Sequence, residues 1–163
     1  MIGNDIVDLD LARLESNWKR KGFLGKIFSL QEQCLILDSS NPERMVWNLW
    51  SRKEAVYKIY NRETGIRGYF PERLQCNYED ETSGTVSIDD FIFYTQTYIT
   101  DFYVYSIAVS EIDFFNKIQS LESLDNIKKN DGVPYILDVS SNAIAPVSIT
   151  HHGRFQKIIT LRQ

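Results

Sequence analysis

The chain has 163 residues, 43% hydrophobic and 25% charged, with a formal net charge of −4. That is the composition of one ordinary globular domain and not of a disordered chain, and the acidic balance argues against a general nucleic-acid binder. No apolar run approaches the ~18–20 residues that span a membrane, and the acidic opening MIGNDIVDLD is unlike a secretory leader, so a cytoplasmic protein without a membrane partner is expected.

Residues 2–7 read as a short strand. Residues 9–20 read as a helix, with Leu9, Leu11, Leu14 and Trp18 spaced for one face. Ser29-Leu-Gln-Glu32 is a capping-box pattern opening a helix that ends near Asp38. Asn41-Pro42 then supplies an N-cap and a first-turn proline. From there to about Arg62 nothing breaks a long helix, and Gly65 is its terminator. Residues 73–78, 84–88, 90–99 and 102–109 are rich in aromatic and β-branched side chains and are predicted strands. Residues 111–129 are expected to form one helix or two short ones. Asn130-Asp-Gly132 is a turn, and 146–150 and 155–161 are two final strands. With no internal repeat or linker, the expected architecture is one α+β domain over 1–163, an antiparallel sheet packed against a long helix.

Charge is uneven along the chain. Residues 11–26 carry Arg13, Lys19, Arg20, Lys21 and Lys26 against Glu15 alone. Residues 44–73 carry seven basic and three acidic residues, and 78–101 carry six acids and no base. These are either solvated faces or a basic face suited to an acidic protein or a phosphorylated small molecule. Cys34 and Cys76 are the only cysteines; they read as free thiols, and with His151 and His152 they are too few for a zinc cluster.

Three places combine residues unusually. Asp5 lies within the strand Gly3-Asn-Asp-Ile-Val-Asp8, where an acid is costly unless paired or metal-bound; otherwise it ends the strand and caps the next turn. In Trp50-Ser-Arg-Lys-Glu-Ala-Val-Tyr-Lys58, Trp50, Glu54 and Lys58 share a helical stripe. Glu54 and Lys58 are either a surface ion pair or a Mg²⁺ carboxylate beside a phosphate-binding lysine. In Val147-Ser-Ile-Thr-His-His-Gly-Arg154, Thr150, His151 and Arg154 are phosphate-competent and Gly153 permits close approach. A histidine here is otherwise structural, and strand alternation lets only one of the two line a given pocket.

In this order the segments resemble the 4′-phosphopantetheinyl transferases. The resemblance rests on GNDIVDL, Phe28-Ser-Leu-Gln-Glu32, WSRKEAVYK, Gly132-Val-Pro134 and SITH. A single copy with DIVD is most like the short, holo-acyl-carrier-protein synthase type. The strand-rich 74–131 is longer than that type needs, and FYVYSIAV is more like the second half of the two-copy type.

The resemblance implies an enzyme that moves 4′-phosphopantetheine from coenzyme A to a serine of an acidic acyl or peptidyl carrier protein, releasing 3′,5′-ADP, as in fatty-acid biosynthesis. Asp5 and Glu54 are then the Mg²⁺ carboxylates, with Asp8 a weaker candidate. Lys58, Thr150, His151 and Arg154 meet the coenzyme A phosphates. Glu54, His151 or a metal-bound water takes the serine proton, and Arg13, Lys19, Arg20 and Lys21 dock the carrier. In the short type the site lies between subunits, which implies a homo-oligomer, a trimer, with His151 facing a neighbour's carboxylates. Two alternatives stay open: a non-catalytic carrier-protein or coenzyme A binder that has kept the fold, and a metal-dependent phosphohydrolase or nuclease built from Asp5, Glu54 and Lys58.

Overall fold

A computed structural model describes residues 1–137 and 143–162. β1 (Ile2–Asp8) is followed at once by α1 (Leu9–Glu15), which Asp8 caps by accepting from the N–H groups of Asp10 and Leu11. α1 is shorter than the expected 9–20. Ser16 leaves the helical region, and the Asn17 side chain accepts from Lys19 N to form a turn. Lys19, Arg20 and Lys21 therefore lie in the connection to α2 (Phe23–Ile27), not on a helix with Arg13.

α3 (Leu30–Asp38) starts at the expected capping box: Ser29 Oγ accepts from Glu32 N, and the Glu32 carboxylate accepts from Ser29 N at 2.8 Å. α4 (Pro42–Thr64) is capped by Asn41 and ends at Gly65, whose φ of 70° is the left-handed conformation a helix stop favours.

β2 (Gln75–Tyr78), β3 (Ser83–Ile88), β4 (Phe91–Ile99) and β5 (Tyr103–Val109) fall where the β-branched and aromatic content predicts them. With β1 they form an antiparallel sheet ordered β1-β5-β4-β3-β2. One face packs on α4, burying Val46, Leu49, Val56 and Ile59 against Val7, Val86, Phe93 and Val104. Each such side chain contributes about 1.5–3 kcal/mol of transfer free energy before chain entropy is counted. β1 crosses α4 so closely that a Cβ on Gly3 would overlap the Ala55 carbonyl.

The expected helix at 111–129 is absent. A short 3-10 turn (Ile112–Lys117) leads into β6 (Ile118–Leu121) and β7 (Ile127–Asn130). Their partners dictate the strands: β6 pairs with β10 (Phe155–Leu161), and β7 with β8 (Val133–Leu137) across the Asp131-Gly132 turn. Long-range pairing overrides the local spacing. β9 (Ile144–His152), longer than its expected 146–150, completes a second antiparallel sheet ordered β6-β10-β9-β8-β7. A second apolar core joins Ile159 with Ile2, Ile6, Tyr105, Ile107 and Val109, on the side of β1 away from α4. No helix among the described residues is long and apolar enough to cross a membrane.

Candidate active site

β1 holds the centre of the site because its two faces and its free edge each meet a different element. Asp5 points to the α4 side, opposite Ile6. It does not cap the turn; Asp8 does. The free edge of β1 meets β9 through side chains instead of backbone carbonyls. Asn4 N donates to Ser148 Oγ at 3.0 Å, Ile6 N to Thr150 Oγ1 at 3.1 Å, and Asp8 N to His152 Nδ1 at 2.8 Å. Alternation along both strands sets this two-residue spacing, and the ladder pairs three successive N–H groups of that edge.

The segment WSRKEAVYK of α4 distributes its side chains around the helix. Ser51 Oγ bonds Ser106 Oγ at 2.7 Å, and Arg52 donates to Thr97 and to the carbonyls of Asp80, Glu81 and Ser83. Lys53 is fully buried, donating to Glu32 at 2.7 Å and to the carbonyls of Ile27 and Pro71. These three attach α4 to the fold. Glu54 and Lys58 face the cleft.

Lys58 Nζ donates to Asn4 O at 2.5 Å, to Asp5 Oδ1 at 3.4 Å and to Ile149 O at 3.4 Å, so one ammonium bridges β1 and β9. Thr150 Oγ1 donates to Asp5 Oδ1 at 3.2 Å. Burial pushes the Asp5 carboxyl up, against the lowering effects of Lys58 and Thr150. Burial also pushes Glu54 up to about 7, and the negative charge of Asp5 adds to the rise. Tyr69 stands over Glu54 and favours its charged form, although its buried hydroxyl makes no hydrogen bond of ordinary geometry. Its ring meets Trp50 and Tyr57 edge-on, with centroids 5.7 and 5.1 Å away.

Asp5, Trp47, Trp50, Glu54, His151 and His152 line a cleft of about 240 Å³. Both histidines border it, contrary to the expectation from alternation, because β9 ends at His152 and the chain turns at Gly153. His151 is exposed at the rim, whereas His152 is held by Asp8 N and lies 3.7 Å from the Glu15 carboxylate.

Two expected site residues are committed elsewhere. Arg154 grips Asp8 through Nε at 2.9 Å and Nη2 at 2.8 Å, and also reaches Asp10 at 2.9 Å. That guanidinium holds the Asp8 carboxyl well below the usual range. Arg154 is thus part of the β1–α1 corner, and Asp8 is consumed by its cap and its ion pair. Of the docking residues, Arg13 is paired with Glu43 and Asp10. Lys19, Arg20 and Lys21 instead rim an open groove that includes Trp18, Leu24 and Leu37.

The sequence reading also missed a groove beyond Lys58. Lys58, Arg62, Arg67 and Lys129 line a space of about 410 Å³ with Gly132, Val133 and Pro134. Arg62 is partly buried and bonds Ile2 O at 3.1 Å, with no carboxylate ion-pair partner among the described residues. Its position one turn after Lys58 was the available signal.

The donor set suits a hard cation. No group of three or more His, Cys, Asp or Glu gathers among the described residues. Asp5 and Glu54 remain as two coupled carboxylates at one cleft, and Mg²⁺ takes one or two carboxylates, filling its other positions with water and phosphate oxygens.

Two carboxylates and a lysine thus gather where β1 crosses α4. A sequence model of the 4′-phosphopantetheinyl transferase superfamily matches residues 1–110, and the chain belongs to that superfamily and is a phosphopantetheinyl transferase. Its fold is similar to that of the holo-[acyl-carrier-protein] synthase from Neisseria meningitidis, with a TM-score of 0.56, 19% identity, and 68% of this chain and 96% of that one covered. It is similar also to the synthase from Thermotoga maritima, with a TM-score of 0.52, 11% identity, and 99% and 83% covered. No curated protein sequence matches the chain significantly.

Proposed function

We propose that this transferase is of the holo-acyl-carrier-protein synthase type: a cytoplasmic enzyme that moves the 4′-phosphopantetheine arm of coenzyme A to a serine of an apo carrier protein, with Mg²⁺, releasing 3′,5′-ADP. The observation that carries this reading is the cleft where Asp5, Glu54 and His151 meet, with Thr150 bonded to Asp5 and Lys58 leading from Asp5 into a cationic groove.

The serine hydroxyl attacks the β-phosphorus of the pyrophosphate, and 3′,5′-ADP departs. Such a transition state spreads charge over phosphoryl oxygens, so positioning and positive charge are what the protein must supply. Asp5 and Glu54 would hold Mg²⁺, which when bound adds positive charge at the pyrophosphate. Lys58 faces the same oxygens. Arg62, Arg67 and Lys129 form the wall suited to the phosphorylated adenosine end. Glu54 or His151, both at the cleft, takes the serine proton.

Incubating the protein with coenzyme A, Mg²⁺ and an apo carrier, then weighing the carrier, is the direct test. A mass gain equal to the phosphopantetheine arm is expected. A protein that binds coenzyme A but modifies none of several carriers would overturn the reading.

Docking makes a separate prediction. Lys19, Arg20 and Lys21 rim a groove floored by Trp18 and Leu37, a surface suited to an acidic carrier. Reversing all three charges should raise KM for the carrier roughly tenfold or more, with kcat and KM for coenzyme A unchanged, and added salt should mimic the effect. Arg13→Ala should do less, because Arg13 is already paired within the chain. Carrier KM values insensitive to both charge and salt would remove this surface from the binding face.

A further inference from the structure

We infer that both sides of the catalytic cleft are supplied by one chain, so that each subunit is a complete catalytic unit whatever its oligomeric state. The inference rests on the functional reading above. The expected trimer had its reason in a cleft that one chain was unable to complete. The structure places His151 at the cleft of its own Asp5 and Glu54.

Three independent contacts hold the β9 side against the carboxylate side. The first is the ladder from the N–H groups of Asn4, Ile6 and Asp8 to Ser148, Thr150 and His152. The second is Lys58, whose ammonium bonds carbonyls of both strands. The third is the apolar core that joins Ile159 to Ile2, Ile6 and Ile107, with Asn4 Nδ2 bonded to Lys157 O beside it. Taking β9 from another molecule would require all three to be remade between chains.

The division of the sequence points the same way. The superfamily match ends at residue 110 and contains Asp5, Glu54 and Lys58. Thr150 and His151 lie beyond it, in the second sheet, which begins only a short 3-10 turn after β5. The second sheet thus gives this chain, from its own sequence, the side of the cleft that the matched segment lacks.

The test is complementation between two inactive chains. Glu54→Gln and His151→Ala are made separately, co-expressed with different tags, and assayed for mass transfer to the carrier against each variant alone. A self-contained site gives no more activity than the sum of the two. A site shared between subunits rebuilds about a quarter of the wild-type sites in a random mixture, and that recovery would overturn the inference while leaving the functional reading intact. If His151→Ala alone keeps activity, Thr150→Val takes its place as the β9 variant. Absence of transfer by the unaltered chain would overturn the functional reading, and this inference with it.

Discussion

Glu54→Gln is expected to stop transfer and, without metal, to make the protein more stable at neutral pH. The loss follows from removing one of two carboxylates and should amount to roughly 10²–10⁴-fold in kcat. The gain follows from linkage. Burial and Asp5 raise the Glu54 carboxyl from 4.5 to about 7 in the folded state. Between these values the folded chain binds more protons than the unfolded chain, so stability falls as pH rises through the window and the full cost stands above pH 7.

Glutamine carries no charge and escapes that cost, which is up to about 3 kcal/mol, or several degrees in Tm for a chain of this size. Calorimetry without Mg²⁺ should find the variant more stable at pH 8 and level with the parent near pH 4.5. Adding Mg²⁺ should raise Tm of the parent and leave the variant almost unchanged. Near-normal transfer by the variant, or lower stability than the parent at pH 8, would break the assignment of Glu54.

Lys53→Met should have the opposite profile: a large loss of stability from a residue outside the cleft. Lys53 is fully buried and holds Glu32 at 2.7 Å. Glu32 in turn accepts from Ser29 N and from Cys76 N, which joins α3 to β2. Methionine fills the space but leaves the Glu32 carboxylate buried without a counter-charge, a change that costs about 3–5 kcal/mol. The Tm should fall by roughly 10 °C or more. Glu32→Gln in the same chain removes the stranded charge and should recover part of the loss. A Tm within two or three degrees of the parent (about 1 kcal/mol) would show that the buried pair does not carry the stability assigned to it.

The local signals in the sequence were legible because their causes are local. The Ser29–Glu32 box, the Asn41-Pro42 start and the Gly65 stop of α4 depend on neighbours within a turn. So does the stripe that places Glu54 and Lys58 on one face. What local spacing does not contain is the partner of each group. Residues 118–121 and 127–130 have no helix because β10 and β8 pair with them. Arg154 looked free for phosphate, but Asp8 and Asp10, far away in sequence, take it. Tyr69 and the groove of Arg62, Arg67 and Lys129 gather from separate elements and carried no motif. The expectation that His151 faces a neighbour came from the resemblance to the short type together with copy number, and the pairing of β9 with β1 is a long-range contact with no local signal.

The side-chain ladder between β1 and β9 also bears on when the enzyme comes into being. Its bonds join residues 144 positions apart, so they close a long loop and do so at an entropic cost that local contacts do not bear. A chain cut between Lys58 and Ser148 carries Asp5, Glu54 and Lys58 on one piece and the β9 residues that border the same cleft on the other. The proposed cleft is therefore a product of the folded whole and not of the motif-bearing segment alone.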